Sequence, residues 1–204
     1  VGSEMCIRDR VEFHGQDLYE ATMSRDFYLD TFEKLKESPY VNTGKLLLTG
    51  KKACYVLDSV DPTYLHFSAH YNENIVKVAS LADIDDEIFK FTTNFTPETI
   101  AEGEAWVNEN VPGVKAMTTG YESIDIVLDY VDKGVAIVEL AKKLGLDMNQ
   151  VMAFGDNLND LHMMQVVGHP IAPENARPEI LELATEVIGS HKDQSVIAYM
   201  EKLV

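Results

Sequence analysis

Residues 151–164 read VMAFGDNLNDLHMM, an apolar run that gives way to two aspartates and two asparagines within five positions. The run QVMAF (150–154) is too short and too apolar for a half-exposed strand, so it reads as a strand buried on both faces. Gly155 follows at once and allows a tight exit and close approach to a ligand. Asp156 is then the first polar residue at the rim of the sheet, and open parallel sheets bind ligands beyond the carboxyl ends of their strands. Carboxylates and amides gathered there, at Asp156, Asn157, Asn159 and Asp160, form a hard-oxygen environment that suits magnesium better than zinc. Asn159 and Asp160 also open the next helix, where backbone N–H groups favour an anion such as phosphate. A polar turn that merely caps a helix has the same bare pattern.

Working outward, Lys133 lies 23 residues before Asp156, at the start of the preceding helix. Consecutive strand–helix units bring both approach loops to one rim, and a lysine there neutralises a phosphate or a nucleophilic carboxylate. Alone it reads first as a surface lysine; taken together with Asp156 it becomes a candidate. The helix over 133–145 carries Ile137, Ala141 and Leu144 on one face and is closed by Gly145. Strand-like HPIA and TEVIG then alternate with helix-like PEILELA and SVIAYMEKLV, a pattern that predicts a parallel sheet with helices on both faces. Upstream, residues 24–130 read as a mixed α+β unit. Ser24 caps a first helix, KLLLTG and KKACYVLD form a strand pair, and TYLHFSAHY and EIFKFTTNF are further strands. Pro97 starts a helix through ETIAEGEAWVNEN, and a last strand pair follows Pro112–Gly113. Before all of this, VEFHGQDLYEATM (11–23) predicts a hairpin around a glycine turn.

Composition narrows the function. The 204 residues carry a formal charge of −17 with no Lys/Arg-rich stripe, which argues against a nucleic-acid surface and against an anionic membrane. An anionic substrate would need a local cation. No apolar run approaches the roughly 18 residues of a membrane span, and no signal-peptide pattern opens the chain. Cys6 and Cys54 give no disulfide framework, so a cytoplasmic protein is expected. The opening VGSEMCIRDR (1–10) has no periodicity and reads as an extraneous, disordered leader.

Several other motifs fail on their own terms. VNTGKLLLTGKK invites a phosphate-loop reading, but Gly44 and Gly50 are six apart and Lys51 is followed by Lys52 rather than Ser or Thr. DIDDEIF lacks the glycine of a calcium loop and reads as a solvated charge run. His66 and His70 lie in a strand-like segment without a third ligand. A receiver-type phosphoacceptor would carry its lysine after the acidic cluster, not before it.

The run DKGVAIVELAKKLGLDMNQVMAFGDNLNDLHMMQVVGHPIAPENARPEI (132–180) resembles the carboxyl half of the haloacid-dehalogenase-like (HAD) hydrolases, specifically the Cof-type subgroup with a type IIB cap. The family's lysine motif matches Lys133 and Gly134, its GDxxND motif matches Gly155, Asp156, Asn159 and Asp160, and its later small-residue pattern matches Gly168, Ala172, Asn175 and Ala176. The resemblance implies an α/β chain: a partial Rossmann-like core over 131–204 with a remnant at 11–23, and an α+β cap over 24–130. It implies a magnesium-dependent phosphatase acting on a small phosphorylated metabolite, such as a sugar phosphate, through an aspartyl-phosphate. On that basis Asp156 and Asp160 serve the metal, with Asp160 in support. Lys133 balances charge, Asn159 binds a phosphate oxygen, and Gly155 and Asn157 support the loop. The family's opening DxDGT segment has no counterpart, because DSVD, DIDD and DYVD lack both the preceding apolar strand and the following Gly-Thr. The nucleophile and general acid/base are therefore absent from this chain, and no turnover is expected of it. The alternative is a non-catalytic module that binds a phosphometabolite or a partner.

Overall fold

In a computed structural model, which describes residues 10–13, 16–120 and 122–203, Arg10–Phe13 (β1) and Gln16–Glu20 (β2) pair antiparallel. The residues that join them, and the opening leader apart from Arg10, lie outside the described residues. Arg10, read from sequence as leader, is the first residue of β1, held there by its Nε 2.7 Å from Asp17 Oδ1. The elements then fall into two units. One joins the segment up to Glu20 with everything from Val131, and the other is the continuous stretch Ala21–Tyr130.

The continuous unit begins with Arg25–Leu35 (α1), whose cap Ser24 accepts from Phe27 N and whose Tyr28, Thr31 and Leu35 are buried. Leu46–Gly50 (β3) and Cys54–Leu57 (β4) form an antiparallel pair. The next segment corrects the sequence reading: Pro62–Ser68 (α2) is a helix, not a strand. Its Tyr-Leu-His-Phe alternation mimics a strand, but Asp61 Oδ1 accepts from Tyr64 N and Pro62 occupies the first turn, a strong helix start. His66 and His70 consequently lie one turn apart along this helical segment, with ring centroids 4.9 Å apart. Ile75–Val78 (β5) pairs parallel to β4, and Ile88–Asn94 (β6) returns to β3. Pro97 sits in a turn, and the helix it was expected to start runs instead over Ile100–Asn110 (α3). Val114–Gly120 (β7) and Ser123–Leu128 (β8) complete a sheet ordered β5-β4-β3-β6-β8-β7.

Register gives this sheet two different faces. Leu48, Phe91, Ile126 and Ala116 stand opposite one another across four strands and are all buried. One residue further along each strand, Leu47, Thr92 and Asp125 form the corresponding row on the other face. There α2 packs over the β3–β4 side, where Leu47, Val56, Val60 and Tyr64 form a core cluster.

The other unit resumes at Lys133–Leu144 (α4), ended by Gly145 in the left-handed region at φ 67°, a conformation cheap only for glycine. Met152–Phe154 (β9), His169–Pro173 (β10) and Glu186–Ile188 (β11) form a parallel sheet ordered β11-β10-β9. Gln150 belongs to a preceding 3-10 turn rather than to the strand. The intervening helices are Leu161–Val166 (α5) and Pro178–Leu181 (α6), and Ser195–Glu201 (α7) follows β11. Met164, Ala172, Ala176 and Ile180 form one buried cluster, and Ala153, Met163 and Val167 another. Gly168 is needed for packing: a Cβ there would lie 2.5 Å from Asn149 Cα. The small residues at 168, 172 and 176 thus have packing roles in this unit. Among the described residues no helix is long and apolar enough to cross a membrane.

Candidate active site

The quoted stretch turns on one buried carboxylate. β9 ends at Phe154, and Gly155 N donates to Ile171 O of β10 at 3.2 Å. A Cβ on Gly155 would lie 2.8 Å from Asp160 Cβ and 2.9 Å from Met164 Sδ, so the loop closes this tightly only on glycine. The chain then makes a 3-10 turn over Leu158–Asp160, with Asn157 Oδ1 accepting from Leu158 N. Asp160, 3% exposed, reaches back across its own loop. Its Oδ2 accepts from Asp156 N at 3.0 Å and from Asn157 N at 3.2 Å. Its Oδ1 accepts from Lys133 Nζ at 2.5 Å. These are charge-assisted bonds to an ionised acceptor, the strong kind.

Lys133 is the first residue of α4, and the start of that helix is itself fixed. Asp132 Oδ1 accepts from Val135 N at 2.8 Å as the cap, while the same carboxylate meets His162 Nδ1 at 2.7 and 2.8 Å. Gly134 permits this meeting of α4 and α5, since a Cβ there would stand 2.5 Å from His162 Cγ. The His162–Asp132 contact carries no local sequence signal, because its partners are 30 residues apart and each looks like an ordinary polar residue. It is the part of the arrangement that sequence reasoning missed.

The predicted residues therefore separate by environment. Lys133 makes an ion pair with Asp160. Gly155 is buried beneath the turn, while Asp156, Asn157 and Asn159 are exposed at the rim. Asp156 O accepts from Arg177 N at 3.0 Å, tying the loop to the start of α6. Asp160 is committed to Lys133 and the two amides, whereas Asp156 is exposed, with the exposed Asn157 and Asn159 in the same loop. That donor set fits a hard divalent cation of the magnesium type, which takes one or two carboxylates and completes its shell with water and substrate oxygens. Among the described residues no group of three or more His, Cys, Asp or Glu could hold a metal alone, so an ion at Asp156 would depend on such outside oxygens.

The arrangement is a strand-end acidic loop closed by a lysine from the preceding helix, on a parallel sheet. The haloacid dehalogenase-like hydrolase family matches the chain over residues 9–200, and the chain belongs to that family. Among its relatives is a 5-amino-6-(5-phospho-D-ribitylamino)uracil phosphatase of Escherichia coli, 27% identical over 191 residues, or 93% of this chain and 69% of that one. A phosphatase of the same printed activity from Bacillus subtilis is 36% identical over 87 residues, covering 43% of this chain and 30% of its own. The fold is shared with a haloacid dehalogenase-like hydrolase from Bacteroides thetaiotaomicron at a TM-score of 0.76 and 19% identity, covering 96% of this chain and 73% of that one. A subclass IIB sugar phosphatase of the superfamily gives a TM-score of 0.72 at 14% identity, covering 96% and 72%.

Proposed function

We propose that this chain is part of a magnesium-dependent phosphoric monoester hydrolase that acts on a small phosphorylated metabolite through an aspartyl-phosphate, with residues 24–130 as its cap domain. One observation carries the reading. Lys133 Nζ lies 2.5 Å from Asp160 Oδ1, so a cation fixed at a helix start stands beside the loop that carries Asp156. In this reading Asp156 would hold the magnesium ion, with Asp160 in support through the loop it organises. When bound, the ion would neutralise charge on the phosphoryl oxygens. Lys133 would balance the negative charge of nucleophile and phosphate, and Asn159 would donate to a phosphate oxygen. The tight turn at Gly155 and the cap at Asn157 keep these groups in register. The nucleophilic aspartate and the general acid/base would come from a segment outside these 204 residues. The printed activities of the relatives, on a phosphoribitylamino-uracil and on sugar phosphates, support a small phosphorylated substrate. A cytoplasmic setting fits a chain without a disulfide framework.

The test is phosphate release from a panel of phosphorylated sugars and polyols with magnesium present. None is expected from the chain itself. Restoring an amino-terminal segment with an aspartate pair should give activity that falls at least about 100-fold in Lys133→Ala and in Asp156→Ala. Full retention in Asp156→Ala would refute the metal assignment. A start codon beside residue 11 in the source gene would favour the non-catalytic binding module instead.

A further inference from the structure

The polar face of the continuous unit's sheet carries a built cavity that the reaction chemistry above does not use. It measures about 240 Å³, below the roughly 300 Å³ at which drug-sized pockets begin, so it suits a small group. One wall is apolar: Leu47 from β3, with Tyr64, Phe67 and Tyr71 from α2 and the turn after it. Tyr64 is anchored there by its hydroxyl, which donates to Thr92 O at 3.1 Å, and the rings of Phe67 and Tyr71 lie 5.1 Å apart. The floor is polar. Register sets Thr92 opposite Asp125, and Thr92 Oγ1 donates to Asp125 Oδ1 at 2.9 Å. Lys90 Nζ donates to Asp125 Oδ2 at 2.8 Å, and Asp125 itself is only 6% exposed. Hydroxyl and amide residues, among them Thr49, Asn94, Thr119 and Ser123, surround this pair.

We infer that this cavity is a binding site for a neutral, hydroxyl-rich group, a polyol chain or sugar, recognised by the Lys90–Asp125 pair. Among the described lining residues Lys90 is the sole cation and Asp125 the sole anion. A hydroxyl satisfies both at once, accepting from the ammonium and donating to the carboxylate. A carboxylate or phosphate cannot: it would share Lys90 with Asp125 and stand against a buried like charge. The aromatic wall then receives the carbon skeleton. The Lys90 side chain remains 25% exposed at the cavity, so its ammonium can reach a bound hydroxyl while still paired with Asp125. The identity of this group as the alcohol part of a phosphate ester rests on the phosphatase reading, whereas the site itself does not.

The experiment is an amide-resolved NMR titration of the full chain, without metal, using matched pairs that differ only in charge: ribitol against D-ribonate, and D-glucitol against D-gluconate. The neutral member of each pair should give saturable shifts at Lys90, Thr92 and Asp125, and its anionic partner should bind about tenfold more weakly. Asp125→Asn keeps the shape but leaves Lys90 unopposed, so it should reverse the order and favour the anion, with a dispersed spectrum confirming the fold. Equal or tighter binding of the anions to the unmodified chain would overturn the proposal. So would the absence of saturable shifts, or a shift map away from the cavity, or an order unchanged in Asp125→Asn. Saturation by uracil, a flat neutral ring, with no response to either polyol would also refute the hydroxyl-rich assignment. Because no turnover is read, these outcomes leave the phosphatase reading untouched, and its failure leaves them untouched in turn.

Discussion

Replacing Asp160 by asparagine changes almost no volume, yet it should loosen the whole strand-end loop. The carboxylate accepts on both oxygens, from Lys133 on one side and from the amides of Asp156 and Asn157 on the other. Asparagine has one oxygen and one NH2, so either orientation sets a donor against a donor. If the oxygen serves the backbone amides, the NH2 faces an ammonium. If it serves Lys133, the two amides lose their acceptor. A hydrogen bond to a charged group is worth about 1.5–3 kcal/mol, and removing one partner of a buried pair costs about 3–5 kcal/mol. The Lys133 side chain is 27% exposed and can turn toward water, which moves the expected loss to the lower end, about 2–3 kcal/mol. At about 1.4 kcal/mol per factor of ten, hydrogen exchange at the Asp156 and Asn157 amides should quicken about 30–150-fold. The sole tryptophan, Trp106, lies in α3 of the other unit, so native emission there serves as the control that the variant chain is folded. Exchange within threefold of the unmodified chain would show that Asp160 does not organise the loop, and the argument would fall with it.

Other perturbations follow the same contacts. Gly134→Ala drives a Cβ to 2.5 Å from the His162 ring and 2.9 Å from the His162 carbonyl carbon, so it should destabilise the α4–α5 contact by about 1–3 kcal/mol in a denaturant melt. His162→Ala would relieve only the ring clash. Asp156→Ala should leave that melt within about 0.5 kcal/mol, since the side chain is exposed, while abolishing magnesium-dependent turnover once the proposed missing segment is restored. Tyr64 adds a pH dependence: burial, its largest cause, pushes the hydroxyl from 10.0 up to about 12. The folded state therefore holds that proton more tightly than the unfolded chain. Stability from this group is complete below pH 10 and is lost as pH rises through about 12, amounting to about 2–3 kcal/mol. Tyr55 moves in the same direction. Urea melts followed at Trp106 should steepen in their alkaline loss over this range and flatten in Tyr64→Phe.

The strand-end loop was legible because its cues are local: a short apolar run, a glycine, and then polar residues. Which carboxylate turns inward was not. Asp156 and Asp160 are the same residue type four positions apart, and the choice is made by Lys133 and by the packing of Gly155, neither of which is a nearest neighbour of Asp160 in the chain. The His162–Asp132 contact is a tertiary event between two helices and leaves no periodic trace. Over 62–71 the failure was of weighting, since alternating aromatics were read ahead of the Asp61–Pro62 start signal. The polar row of the sheet was equally hidden, because Lys90, Thr92 and Asp125 acquire a common address only when β6 and β8 are placed in register.

The division of the chain also has a consequence for its synthesis. The hairpin of β1 and β2 belongs with α4, yet the whole stretch Ala21–Tyr130 must be translated between them. At about 5–20 residues per second, those roughly 110 residues occupy the ribosome for about 5–20 s. A two-stranded hairpin is marginal alone in water, and its packing against α4 has to wait through that interval. The inserted unit, contiguous in sequence, can complete its fold meanwhile. Order of emergence from the ribosome therefore sets the order of assembly, with the discontinuous unit closing last.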